Sequence, residues 1–143
     1  IGVNFSDSID AVRASLKDIT CAIIRGDQTA DERQRNIDSF QADKSRVVIA
    51  NLRAGGVGVS LHDLNGRFPR TALICPGWSP TDLKQALGRV WRAGGKSTSI
   101  QRILYAADTV EEKVAERIEE RLRTLAILND GVDFNLTDKD LEP

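Results

Sequence analysis

Arg46-Val47-Val48-Ile49-Ala50 decides the fold. After its single arginine the run is apolar without alternation, which reads as a strand buried on both faces, as parallel sheets covered by helices require. Thr71-Ala72-Leu73-Ile74-Cys75 is a second strand of the same kind. Working outward, Ile1–Phe5, Thr20–Ile24 and Ile100–Tyr105 supply three further strands, and every gap long enough for a crossover carries a helix signal. Ser6-Asp7 are expected to cap a helix with Ile9, Val12 and Leu16 at helical spacing. Thr29 and Glu32 form a capping box opening a helix that ends near Gln41. Ser79 is a good N-cap with Pro80 in the first helical position, and that helix is expected to reach about Trp91. A second box, Thr109 with Glu112, opens a long helix to about Asn129, whose stripe from Val110 through Val114, Ile118, Leu122 and Leu125 to Leu128 keeps the helical repeat. The expected fold is α/β: a three-layer parallel sheet with helices on both faces and right-handed crossovers. Ligands of such folds meet the loops at the carboxyl ends of the strands. Residues 1–130 form the domain and 131–143 a polar C-terminal extension.

The composition agrees with one core: 143 residues, 41% hydrophobic and 29% charged. The uncharged stretch that begins at Thr71 and ends at Asp82 is broken by Pro76, Gly77, Ser79 and Pro80. It falls far short of the roughly 20 apolar residues that cross a bilayer, so a membrane is excluded as partner. No leader pattern marks export, and the expected setting is intracellular, cytoplasm or nucleus. Cys21 and Cys75 lie in apolar runs, and a lone His62 builds no zinc site. The absence of methionine and the apolar opening at Ile1 suggest a piece excised from a longer protein.

Net charge is only −1, yet the charges are unevenly placed. Between Ser45 and Tyr105 nine basic residues stand against Asp63 and Asp82 alone, which implies a basic face for anionic partners. Two glycine clusters do not explain it. Gly94-Gly95-Lys96-Ser97 lacks the earlier glycine of a P-loop, since position 90 is Val90, and it follows a helix where that motif needs a strand. Gly56-Val57-Gly58 lacks the third glycine of a dinucleotide fingerprint, whose place is taken by Leu61.

The informative segment is Gln85-Ala86-Leu87-Gly88-Arg89-Val90-Trp91-Arg92. On a continuous helix Gln85, Arg89 and Arg92 fall within about 60° of one another, and Leu83, Leu87 and Val90 point the other way. Two guanidiniums on one face suit charge that builds up on a transferring phosphoryl group. This Q-x-x-G-R-x-x-R pattern resembles motif VI of the superfamily-two helicases and translocases. The run from Ala50 to Leu61, containing Arg53-Ala54-Gly55-Gly56-Val57-Gly58, resembles their motif V. The order of the pieces is most similar to the Swi/Snf-type DNA translocases: Arg53-Ala54-Gly55-Gly56, Trp78-Ser79-Pro80, Arg89 to Arg92, then Thr109-Val110-Glu111-Glu112-Lys113. Asn4-Phe5 and Gly26-Asp27-Gln28-Thr29 with Arg33-Gln34 resemble the family's motif IV strand and the G-x-T and R-Q elements after it.

The resemblance implies a second RecA-like lobe supplying arginine fingers to ATP and Mg²⁺ held mainly by an N-terminal RecA-like lobe of the same protein. By it, Arg89 and Arg92 are catalytic and touch the γ-phosphate, while Gln85 and Gly58 complete the ATP-binding set. Arg53, Ala54, Gly55, Gly56, Asn4 and Gly26 contact nucleic acid, with double-stranded DNA as the expected track. The lobe alone is not expected to hydrolyse ATP. Three positions depart from the family pattern: Leu52 replaces a small hydroxyl residue, Asn65–Arg70 is an insert, and Gly95 replaces a glutamine. The competing readings are a nucleic-acid-binding module without catalysis and the corresponding lobe of an RNA helicase.

Overall fold

The computed structural model describes residues 1–52 and 59–130, with side chains to residue 124. Among these, strands β1 (Gly2–Val3), β2 (Cys21–Ile24), β3 (Val47–Asn51), β4 (Arg70–Ile74) and β5 (Ser99–Ile103) form one sheet. All pairings are parallel and the order is β2-β3-β1-β4-β5. Helices α1 (Ser6–Ser15), α2 (Ala30–Gln41), α3 (Pro80–Leu87) and α4 (Val110–Asp130) occupy the connections.

Side-chain alternation along the central strands divides the core into two faces, because successive residues of a strand point to opposite sides. Val3 and Ile49 turn toward Ile9 of α1, with Val12 and Leu16 packed alongside. On the other face Ala22, Ile24 and Val48 meet Phe40 of α2. On that face too, Leu52, Ala72 and Ile74 meet Leu83 of α3 and Val114, Ile118 and Leu122 of α4. The three layers are therefore α1, the sheet, and α2 with α3 and α4. No described helix is long and apolar enough to cross a membrane.

Local details depart from expectation at the starts of two helices, α1 and α4. The residue before α1 is an extended Phe5, φ −120° and ψ 147°, without a side-chain cap. Ser6 and Asp7 lie inside the first turn, where the Asp7 charge faces the positive end of the helix. The Thr29–Glu32 box forms as expected: the Thr29 Oγ1 accepts from the Glu32 N–H and Glu32 Oε2 accepts from the Thr29 N–H at 2.9 Å. The box at α4 is displaced by one residue. Glu112 Oε2 accepts from the N–H of Asp108 at 2.9 Å, and the Thr109 hydroxyl accepts from Glu111 at 3.2 Å while donating to Ala106 at 2.6 Å. Asp108 sits at φ 59°, so the chain reverses just before the helix and presents its open N–H one position early.

Arg70, expected on the basic face, is buried. It pairs with Asp43 at 3.3 Å and its guanidinium carbon lies 4.2 Å from the Phe40 ring centroid. The carboxylate offsets the cost of taking the guanidinium out of water, and the aromatic face adds to it.

The insert before β4 is pinned by Asp63, only 2% exposed. Its Oδ1 accepts from the N–H groups of Asn65 at 2.9 Å and Gly66 at 3.0 Å, and its Oδ2 from the Ser97 hydroxyl at 2.7 Å. The Ser97 bond first, then those amides and the Arg70 charge, hold the carboxyl below its usual range against an opposing burial cost. A depressed carboxyl contributes stability above its unfolded pKa and loses it as pH falls through the folded value. Urea midpoints followed from about pH 5 down to about pH 2 should therefore drop more steeply for wild type than for Asp63→Asn, which has no proton to take up.

Candidate functional site

The site grows from the start of α3. The Ser79 hydroxyl accepts from the Asp82 N–H at 3.2 Å, Pro80 opens the helix, and Leu83 anchors it with 1% exposure. The helix stops at Leu87, so Arg89 and Arg92 lie beyond it and not on its face as the periodicity suggested. Two causes act together. Gly88 is a poor helix former and takes the C-cap position. The Arg89 carbonyl, which a further turn of helix would use, accepts instead from the Leu61 N–H at 2.8 Å.

That bond docks the arginine segment edge-on against Val59–Leu61. Arg89 Nη1 donates to the Val59 carbonyl at 3.4 Å, and Arg92 Nη1 donates to the Ser60 hydroxyl at 2.8 Å. Ser60 is itself held from behind, because Gln41 at the end of α2 donates to its carbonyl at 2.8 Å. Arg89 is half-buried and Arg92 exposed. Burial first, and then the positive charge of Arg92, lower the Arg89 pKa. Two like charges brought this close favour an anion between them. Gln85 lies exposed on α3 one turn earlier, and Trp91 between the arginines is 69% exposed. Among the described residues no three His, Cys, Asp or Glu side chains converge; what the two arginines offer is hydrogen-bond donors for an anion.

The second group lies at the carboxyl ends of the strands. Asn4, just after β1, donates through Nδ2 to the carbonyls of Cys75 at 3.1 Å and Pro76 at 3.0 Å. Asn51, at the end of β3, donates to the Asn4 carbonyl at 3.1 Å. A Cβ at Gly77 would stand 2.7 Å from Asn4 Oδ1, so the loop after β4 closes on Asn4 only because position 77 has no side chain. Asn4 thereby ties together the ends of β1, β3 and β4. Gly26 is exposed in the turn after edge strand β2, which Gln28 shapes by accepting from the Arg25 N–H at 2.9 Å and donating to Ile23 at 3.1 Å. Arg53, Ala54, Gly55, Gly56 and Gly58 lie outside the described residues.

Sequence reasoning did not single out Ser60, Gln41 or Asp63 as parts of this arrangement. For Asp63 a signal existed: Asp63-Leu64-Asn65-Gly66 is rich in residues that fold a turn onto their own side chains. Ser60 lies within the Ala50–Leu61 run but nothing local marks it as an arginine partner, and Gln41 carries no signal, since both roles depend on partners distant in the chain.

The family described as "Helicase conserved C-terminal domain" matches residues 2–94. A protein of Acanthamoeba polyphaga mimivirus named "Putative ATP-dependent RNA helicase L364" is 44% identical over 132 residues, covering 92% of this chain and 24% of that protein. The chromatin remodeling factor mit1 of Schizosaccharomyces pombe is 32% identical, covering 88% of this chain and 9% of that protein. The DNA repair and recombination protein RAD54 of Saccharomyces cerevisiae is 28% identical, covering 80% and 13%. The chain thus spans about a quarter or less of these relatives. Among solved structures, the C-terminal part of the Fun30 ATPase domain superposes with a TM-score of 0.72 at 25% identity, covering 82% of this chain and 37% of that one. Dbp5 of S. cerevisiae, bound to RNA and ADP BeF3, shares the fold with a TM-score of 0.63 at 20% identity, covering 83% and 30%.

Proposed function

The chain belongs to the helicase conserved C-terminal domain family, with Swi/Snf-type relatives, and from that premise we propose that it is the second motor lobe of an ATP-dependent DNA translocase or helicase that acts inside the cell. One observation carries this reading. Arg89 and Arg92 are both held against Val59–Ser60, the stretch that follows directly on the motif V glycines. The groups assigned to phosphate are therefore hydrogen-bonded to the residues into which the motif V run leads.

In this reading ATP lies between this lobe and a first lobe that carries the P-loop. Mg²⁺, also held there, would neutralise charge on the β- and γ-phosphate oxygens. Arg89 and Arg92 meet the charge that develops on the γ-phosphoryl oxygens, their planar forks already oriented by Val59 and Ser60. Gln85 and Gly58 line the same nucleotide, and Arg53, Ala54, Gly55 and Gly56 grip the track backbone with Asn4 and Gly26. The pairing of the two arginines supports catalysis over the binding-module reading. An RNA track is the second reading, favoured by the name of the mimivirus relative. The chromatin and repair relatives and the ordered R-A-G-G, W-S-P and T-V-E-E-K signatures favour duplex DNA.

By itself the chain should show no ATP turnover. In a polypeptide that also carries the first lobe, Arg92→Ala and Arg89→Ala should each lower kcat by roughly 10³-fold or more, with nucleotide affinity changing far less. Steady-state ATPase assays beside equilibrium nucleotide binding check this, and near-normal turnover in either variant removes that arginine from the reaction.

For the track, Arg53→Ala should weaken binding equally across unrelated sequences, because a phosphate contact carries no base information. The slope of log affinity against log salt should shrink by about 0.9 on duplex DNA or about 0.7 on a single strand. Stimulation assays with duplex DNA, single-stranded DNA and RNA identify the track, and stimulation by RNA alone replaces the DNA reading with the RNA one.

A further inference from the structure

Because α3 ends at Leu87, no helix holds Arg89 and Arg92 in place, and their geometry has to come from elsewhere. The segment from Arg89 to Ser97 is anchored at two points. At the front the Leu61 N–H donates to the Arg89 carbonyl at 2.8 Å. At the back the Lys96 N–H donates to the Asp63 carbonyl at 2.8 Å and the Ser97 hydroxyl to the Asp63 carboxylate at 2.7 Å. Between the anchors the Gly95 N–H closes on the Arg92 carbonyl at 3.0 Å, and Gly94 at φ 92° makes the reversal that returns the chain to Asp63. Both anchors belong to one short stretch, Leu61 to Asp63. The two arginines sit on a loop clamped at each end to the residues that directly follow Val59 and Ser60, the partners of their guanidiniums.

We propose that Asp63 is the positioning residue of the arginine pair, acting through Ser97 and the backbone at Lys96. The assignment rests on the reading of Arg89 and Arg92 as ATP contacts. Three features mark Asp63 as more than a surface turn. It is buried, all three groups on its carboxylate are donors, and those donors come from both sides of the junction: Asn65 and Gly66 from the insert, Ser97 from the arginine loop. Gly66, at φ 74°, seats the insert against the Lys96 side chain, where a Cβ would lie 3.4 Å from the Lys96 Cβ. The insert, a departure from the family pattern, thus completes the socket that fixes the loop. Misplacing a catalytic contact by about 1 Å can lower a rate by about 10²-fold, and an interaction made only in the transition state is lost from kcat and not from KM. A loosened staple should therefore appear in kcat and leave KM alone.

The test uses this chain in a polypeptide with the P-loop lobe, and compares wild type with Ser97→Ala, Ser97→Thr, Asp63→Ala and the Asp63→Ala/Ser97→Ala pair. Ser97→Ala removes one bond at a half-exposed position, so it keeps the experiment decisive even if Asp63→Ala folds poorly. Expected are a roughly tenfold lower kcat for Ser97→Ala with KM for ATP within about twofold, restoration by Ser97→Thr, and a double variant no slower than Asp63→Ala. In the chain alone, Ser97→Ala should speed hydrogen exchange at Lys96 and Gly66 and leave the β3 amides unchanged. Wild-type kcat in Ser97→Ala, or independent losses that multiply in the double variant, overturn the proposal. Arg92→Ala in the same polypeptide separates the two readings. If it destroys turnover while Ser97→Ala does not, only the positioning role fails; if it leaves turnover intact, the ATP reading fails as well.

Discussion

The fold depends on how little room there is at β1. This two-residue strand lies in the middle of the sheet, with Gly2 paired to Ala50 of β3 on one side and Ile74 of β4 on the other. Leu52 packs over it so closely that a Cβ at Gly2 would stand 2.5 Å from the Leu52 Cδ2. A side chain there would displace Leu52, which belongs to the cluster joining β4 to α3 and α4. With Gly2 bare, Leu52 lies over β1 and joins the cluster that seats α3 and α4. The parallel pairing of β1 with both neighbours brings the ends of β1, β3 and β4 side by side, where the Asn4 side-chain amide and the Asn51 side chain tie them.

From this arrangement follows the junction on which the proposed chemistry stands. The stretch from Val59 to Asp63 leads into the insert and on to β4, and the loop after α3 comes back across that same path. Each then satisfies the other's polar groups: Leu61 with the Arg89 carbonyl, Ser60 with Arg92, Asp63 with Lys96 and Ser97. Backbone groups outside helix and sheet still seek partners, and these two segments take them from each other. The mutual pairing explains both why α3 ends early and why two arginines of like charge can be held close together.

The strand and helix order was legible because burial on both faces leaves an unbroken apolar run and burial on one face leaves a 3.6-residue stripe. The Thr29–Glu32 box was legible because its two partners are three residues apart. Element ends were less so. Helical periodicity continued through Gly88 to Arg92, and nothing local indicated that the Arg89 carbonyl would be taken by Leu61, far earlier in the chain. Arg70 read as surface charge because neither Asp43 nor the Phe40 face that accept it is near it in sequence.

What the sequence determined by itself was the kind of protein: a parallel α/β lobe whose ordered glycine and arginine signatures belong to the helicase family. Such signals are local, set by residue type and spacing along one element. What only the tertiary structure decided was how the arginines are held. Their support comes from Ser60, Gln41, Asp63 and Ser97, contributed by separate places in the chain, and a hydrogen bond between distant residues leaves no periodic trace in the sequence.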